Sequence, residues 1–262
     1  RPTDDHRHGA PAARRCLFPP ENFPHSSVPM NLTHPPLGPA LLAALRRMRA
    51  NPDRADELAE AARMGAERGY DEINLNCGCP SDRVQSGTFG AVLMKTPELV
   101  AACASAMQEA VDVPVTVKCR IGVDDQSPEI VLPDFLTRIR EAGVSRVAIH
   151  ARKAWLQGLS PKENRDIPPL DYDLVHAMKA AFADLHISIN GGIEGLAQAQ
   201  AHIARGLDGA MIGRAAYHQP TDILAQADRR VFGTGEDSSA EGAVYAMLPY
   251  IEAHPCSGAP RY

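Results

Sequence analysis

The 262-residue chain has no apolar run approaching the about 18 residues that a helix needs to cross a bilayer, so no membrane span is expected. It also lacks a basic excess. With 27 Lys and Arg against 32 Asp and Glu, the net charge of −5 argues against affinity that rests on a globally basic surface, because phosphate contacts need clustered cations. Cysteine is scarce and scattered: the 6 residues Cys16, Cys77, Cys79, Cys103, Cys119 and Cys256 form neither a dense disulfide framework nor the paired C-x₂₋₄-C units of structural zinc. A redox C-x-x-C is missing too, so no metal and no disulfide chemistry is expected. The first residues carry no continuous hydrophobic core of the signal-peptide kind, and these absences together suit a reducing cytoplasm. What is there is a near-average mixture, 44% apolar and 23% charged, with room for one large α/β domain or two ordinary ones.

From about residue 53 the pattern alternates helix-like and strand-like segments joined by short connections. Helices are predicted over 54–68, 97–111, 130–142, 172–182, 193–204 and 221–232, and strands over 72–76, 115–119, 146–150, 186–190 and 209–212. Polar residues gather at the C-terminal ends of these strands: Asn76, Lys118, His150, Asn190, and Gly213-Arg214 after the last. A doubly wound sheet would concentrate such residues at one switch point, whereas a (β/α)₈ barrel builds its site from every strand end. The expected fold class is therefore α/β, a TIM-type (β/α)₈ barrel incomplete at its N-terminus and followed by a short helical C-terminal segment. Residues 1–50 are expected to form an atypical, irregular segment, with nine prolines before residue 40 and a helix-like, Arg-rich stretch at 39–50. The barrel portion is assigned to 51–219 and the helical portion, with one more helix at 239–253, to 220–262.

The run Asn74-Leu75-Asn76-Cys77-Gly78-Cys79-Pro80-Ser81 puts a thiol just past a strand end, in the loop layer where enzymes keep chemistry. A thiol with the ordinary pKa of about 8.5 is protonated at neutral pH and can donate, so Cys79 reads either as a general acid or as an inert buried thiol. Lys118 ends an apolar strand, where a cation needs an anionic or electron-rich partner, either a ligand or a structural carboxylate. His150 is equally open between a ligand contact and a hydrogen-bonded core histidine. Asn190-Gly191-Gly192 and Gly213-Arg214-Ala215 allow close backbone approach in consecutive loops, as phosphate sites in barrels do and as tight turns do. Arg120, Arg152, Lys153, Lys162 and Arg165 follow strand ends and would converge on one face if the strands are parallel, as a local phosphate-binding rim or as a solvated surface.

As a set, these pieces resemble tRNA-dihydrouridine synthases. The resemblance rests on the Asn74 to Gly87 run, Val115-Thr116-Val117-Lys118-Cys119-Arg120-Ile121-Gly122, His150-Ala151-Arg152-Lys153-Ala154-Trp155, Ser160-Pro161-Lys162-Glu163-Asn164-Arg165, Asn190-Gly191-Gly192-Ile193 and Gly213-Arg214-Ala215-Ala216-Tyr217. Their order and spacing match over roughly residues 52–250, and the extended loop 153–170 is similar to the bacterial A subfamily, which acts on uridines 20 and 20a of the D-loop. The resemblance implies an FMN enzyme reduced by NADPH, with hydride passing to C6 of a uracil and a cysteine protonating C5. Cys79 occupies the position of that acid. Lys118 and His150 match flavin contacts, Asn190, Gly191, Gly192, Gly213 and Arg214 match phosphate-binding loops, and Asn76 matches a residue on the substrate side of the flavin. Arg120, Arg152, Lys153, Lys162 and Arg165 are assigned to the tRNA side.

The sequence departs from the family at both ends. The family's opening strands, one with an Ala-Pro-Met-Met-like turn and one with a flavin-contacting Gln, have no counterpart before residue 51, where the composition would suit a shifted reading frame. The family's C-terminal helical domain is abbreviated to about two helices, and position 119 is Cys where relatives often carry His. These departures keep two alternatives open beside the synthase: an inactive or weakly active RNA-binding fragment of the family, and another FMN-barrel oxidoreductase acting on a small substrate.

Overall fold

The computed structural model describes residues 55–81 and 89–253. The irregular segment expected at 1–50, residues 82–87 of the cysteine run, and the last residues from 254 lie outside them. Helix α1 (Ala55–Ala66) leads into strand β1 (Ile73–Cys77), and the units α2 (Pro97–Ala110), β2 (Val115–Arg120), α3 (Pro128–Glu141), β3 (Arg146–His150), α4 (Tyr172–Ala181), β4 (His186–Asn190), α5 (Leu196–Ala204) and β5 (Gly209–Met211) follow. Short helix α6 (Arg214–His218), then α7 (Pro220–Ala227) and α8 (Ala240–Ala253), close the described chain. Prolines at the first helical position start α2, α3 and α7, where the missing N–H would have had no partner, and the Asp171 carboxylate starts α4 by accepting from the Leu174 N–H at 2.9 Å. Among the described residues no helix is long and apolar enough to cross a membrane.

All five strands are parallel and lie in the order β1-β2-β3-β4-β5. Each new strand adds beside the last with no reversal of direction, which is the winding of a barrel; a doubly wound sheet would have turned back on itself at a switch point. The α/β barrel-type fold expected from the strand ends is thus what the chain adopts.

Period-two alternation divides the sheet into two unlike faces. Leu75 and Cys77, Val115, Val117 and Cys119, Val147 and Ile149, and Ile187 and Ile189 are buried and form one core with Val100 and Met107 of α2, Phe135 and Ile139 of α3, and Val175 of α4. The opposite face carries Asn74, Asn76, Thr116, Lys118, Arg120, Arg146, His150, His186, Ser188 and Asn190. Register aligns the upper members of that face: Asn76 stands beside Lys118, and Arg120, His150 and Asn190 form one row.

The helix expected at 221–232 ends at Ala227, and Asp228–Phe232 continues as a wider π turn. Two outside partners account for the change: the Gln200 amide donates to the Arg230 carbonyl at 2.7 Å, and Arg229 is drawn to Asp237 through two bonds of 2.7 and 2.8 Å. The helix expected from 193 starts at Leu196, after two glycines with positive φ. Phe135 is 1% exposed between α3 and the sheet. Replacing it by Ala should lower unfolding stability by about 3–5 kcal/mol in denaturant titration.

Candidate functional site

Two thiols two residues apart meet opposite environments. Cys77 points into the helix-facing core, where burial first, and then Cys119 and Cys103, push its thiol well above the ordinary range. Cys119, its register neighbour on β2, is pushed up to about 12 by burial. Both are inert fillers of the core. Cys79 lies past the strand end and is only half-buried. Its carbonyl accepts from the Ala91 N–H at 2.8 Å, and a Cβ at Gly90 would sit 2.4 Å from that carbonyl oxygen. Gly90 has a φ of +73°, so both its conformation and the close approach demand glycine. This seat for Cys79 was missed in the sequence; the Gly90-Ala91 pair after Phe89 was the signal. On the other side, the Asn76 side-chain oxygen accepts from the Gly78 N–H at 2.9 Å and fixes the turn that carries the thiol.

Lys118 and Arg120 emerge on the polar face at the same end of the sheet. Burial, followed by the neighbouring Arg120, holds the Lys118 ammonium below the usual lysine pKa, and among the described residues it makes no hydrogen bond or ion pair. Arg120 differs from the exposed rim cation expected: it is 3% exposed. Its guanidinium donates to the carbonyls of Gly78 at 3.1 Å, Lys153 at 3.3 Å and Asn164 at 2.9 Å. Burial, with Arg165 and Arg152 nearby, lowers its pKa to about 10, which leaves it charged at neutral pH.

His150 is buried, and its Nε2 has no hydrogen-bond partner among the described residues. Burial and then the cations Arg120, Lys118, Arg152 and Arg214 lower its pKa to about 2, so the ring is neutral. It lies against Gly191, where a Cβ would come within 2.9 Å of Nε2. Gly191 and Gly192 have φ of +105° and +66°; the Tyr172 hydroxyl donates to the Gly191 carbonyl at 2.7 Å, and a Cβ on Gly192 would strike Leu170 at 2.6 Å. The next loop opens at Gly213, which faces free space, and Asn190 ties the two loops by donating to the Met211 carbonyl at 2.7 Å.

The remaining sequence-predicted cations lie in the loop 153–170 or reach onto it from Arg152 and Arg214. Asn164, fully buried at 0% exposure, organises it: the side-chain oxygen accepts from the Trp155 N–H at 2.7 Å, and the amide donates to the carbonyls of Trp155, Leu159 and Ser160 at 2.8, 3.1 and 3.3 Å. Arg152 donates to the Pro168 carbonyl, and Arg214 reaches across from α6 to the Asp166 carboxylate at 2.8 Å. Lys162 and Arg165 are exposed, and Lys153 is half-exposed with its Nζ 5.2 Å from the Trp155 ring centroid. Fold and loops therefore bring Asn76, Cys79, Lys118, Arg120, His150, Asn190, Gly191 and Gly192 to one end of the sheet. An ammonium and an imidazole nitrogen without partners among the described residues, together with the positive-φ glycine cup, fit an anionic ligand that also carries a polar ring. Among the described residues no group of three or more His, Cys, Asp or Glu could hold a metal ion.

Residues 49–254 match the family model for dihydrouridine synthase. The tRNA-dihydrouridine(20/20a) synthase of Shewanella oneidensis is 58% identical over 199 residues, covering 76% of this chain and 59% of that protein. That of Vibrio parahaemolyticus is 52% identical over 82% of this chain and 65% of its own length. The Escherichia coli K12 protein of the same name is 54% identical over 74% of this chain and 56% of its own. The matched region thus spans about three fifths of the length of these relatives.

Arg120→Lys keeps the charge but loses the planar fork; it should cost about 1–3 kcal/mol of stability and speed limited proteolysis within 153–170. His150 supplies a pH dependence. Its folded pKa of about 2 lies below the unfolded value of about 6.5, so its contribution is fully present above pH 6.5 and is lost as pH falls from there. Without ligand, the protein should lose about 2 kcal/mol more between pH 7 and pH 5 than His150→Gln does, measured by denaturant unfolding at each pH.

Proposed function

The chain belongs to the dihydrouridine synthase family, and from that premise we propose that it reduces the C5–C6 bond of uracil at positions 20 and 20a of the tRNA D-loop, with FMN and NADPH, in the cytoplasm. The observation that carries the reading is the company Cys79 keeps. A half-buried thiol stands at the end of the sheet that also presents Lys118 and the Nε2 of His150, both without partners among the described residues, and the Gly191-Gly192 cup.

In this reading Lys118 and His150 would hold the polar edge of the flavin, and Asn190, Gly191, Gly192, Gly213 and Arg214 would hold its phosphate. When bound there, FMN would supply hydride chemistry toward uracil C6, with NADPH as the reductant. Cys79 delivers the proton to C5, and its half-buried thiolate is reprotonated from solvent. Asn76 shapes the turn that presents the thiol and faces the base. Arg120 acts at one remove: by holding Gly78 it fixes the approach to Cys79, and by holding Lys153 and Asn164 it fixes the loop opposite. The neutral His150 can donate or accept without adding charge beside Lys118.

A uracil in folded tRNA must leave its stack before it can reach such a site, at a cost of a few kcal/mol. Arg152, Lys153, Lys162 and Arg165 lie on the loop suited to offset this through phosphate contacts, which explains how a chain of net charge −5 could bind RNA. Cys79→Ala should slow dihydrouridine formation in unmodified tRNA by about 10²- to 10⁴-fold and leave FMN binding intact, whereas Cys77→Ala should leave the rate within a few-fold. Equal rates for Cys79→Ala and the parent chain, measured by dihydrouridine content after incubation with NADPH, would remove Cys79 from the role of acid.

A further inference from the structure

The chain has one tryptophan, Trp155, and it is half-exposed. Its position is built with care. Asn164 clamps both its N–H and its carbonyl, at 2.7 and 2.8 Å, and a parallel bridge between Val123 and Ala154 zips the loop after β2 to the loop after β3 just before it. Asp124, held at a φ of 49°, accepts from the Leu156 N–H at 2.8 Å and from Lys95 at 2.6 Å, so its charge is satisfied within the protein. The result is a depression of about 510 Å³ with Val123 at its floor, the indole at its side, and Lys95, Gln126 and Gln157 around it.

We propose that this depression is a second RNA site, in which an unpaired nucleobase beside the reacting uridine stacks on Trp155. The proposal rests on the tRNA reading above. Three features select a base in preference to a phosphate. A rigid aromatic face favours any base, because every base has a π-surface. The Gln126 oxygen accepts from the Val123 N–H at 2.9 Å, which leaves its NH₂ to donate to a base edge, and the exposed Gln157 amide can donate or accept there. The exposed Asp125 at the rim repels phosphate, yet it can accept from a base amino group. Lys153 Nζ lies over the indole, 5.2 Å from the ring centroid, so the cation covers one face and the base is assigned to the other, with the ammonium left to meet a backbone phosphate. The site opens at the same end of the sheet as Cys79, since Val123 and Trp155 follow β2 and β3 by a few residues. A nucleotide held there would keep its neighbour splayed out, which is the geometry by which single-stranded RNA is read.

Because Trp155 is the only tryptophan, its fluorescence reports this site directly. The full chain, with its flavin content held constant, is titrated with unmodified tRNA and separately with a short single-stranded oligoribonucleotide; filter binding measures affinity in parallel. Quenching of Trp155 by both RNAs, a roughly tenfold weaker tRNA affinity for Trp155→Ala, and substantial rescue by Trp155→Phe, with FMN binding unchanged throughout, would establish the site. Retained tRNA binding with unaltered emission and full affinity in Trp155→Ala would overturn the site while the tRNA reading stands. Quenching by the oligoribonucleotide without tRNA binding would support the site and sink the tRNA reading. If neither RNA binds or quenches, both fall.

Discussion

The guanidinium of Arg120 donates to the carbonyl of Gly78, just past β1, and to those of Lys153 and Asn164 at two points of the loop 153–170. A buried cation without a carboxylate is costly, and here backbone dipoles replace the missing anion. The arrangement constrains everything around it. Each loop must turn a carbonyl inward, which fixes the turn before Cys79, the exit of β3 and the short 3₁₀ segment that holds Asn164. These bonds hold Arg120 through Nε and Nη1, while among the described residues the neighbouring Lys118 makes no hydrogen bond or ion pair.

Charge at this end of the sheet is the reverse of charge over the whole chain. Lys118, Arg120, Arg152 and Arg214 gather around one imidazole, in a chain whose net charge is −5. Such a concentration of like charge is tolerable because each member is treated differently. Arg120 is bound to carbonyls, Arg152 to one carbonyl, Arg214 to Asp166, and His150 stays neutral. An incoming anion therefore meets attraction without displacing an internal carboxylate from Lys118.

Much of this could be read from the sequence because strands advertise themselves twice, by alternating apolar residues and by polar residues at one end. Predicted and observed limits of β1 to β5 agree within one residue, and Lys118, His150 and Asn190 were legible as neighbours once the strands were taken as parallel. The role of Arg120 was not legible. An arginine at a strand end reads as a surface cation, and its true partners are backbone carbonyls, which leave no trace in residue identity. The same holds for Asn164, hidden in a polar loop, and for Gly90, whose importance lies in the residue it touches. The π turn at Asp228–Phe232 depends on Gln200, distant in sequence, so no local pattern could announce it.

Asn164 carries a consequence for the chemical durability of the molecule. Its amide donates to three carbonyl oxygens while its own oxygen accepts from the Trp155 N–H, so one side chain serves the loop as a missing strand would. Deamidation would exchange that nitrogen for oxygen and turn three attractions into three repulsions, with scarcely any change of shape. Complete burial shields the amide from the water that such ageing consumes. The loop that presents Trp155 and the cations is thus only as long-lived as the seal around a single amide.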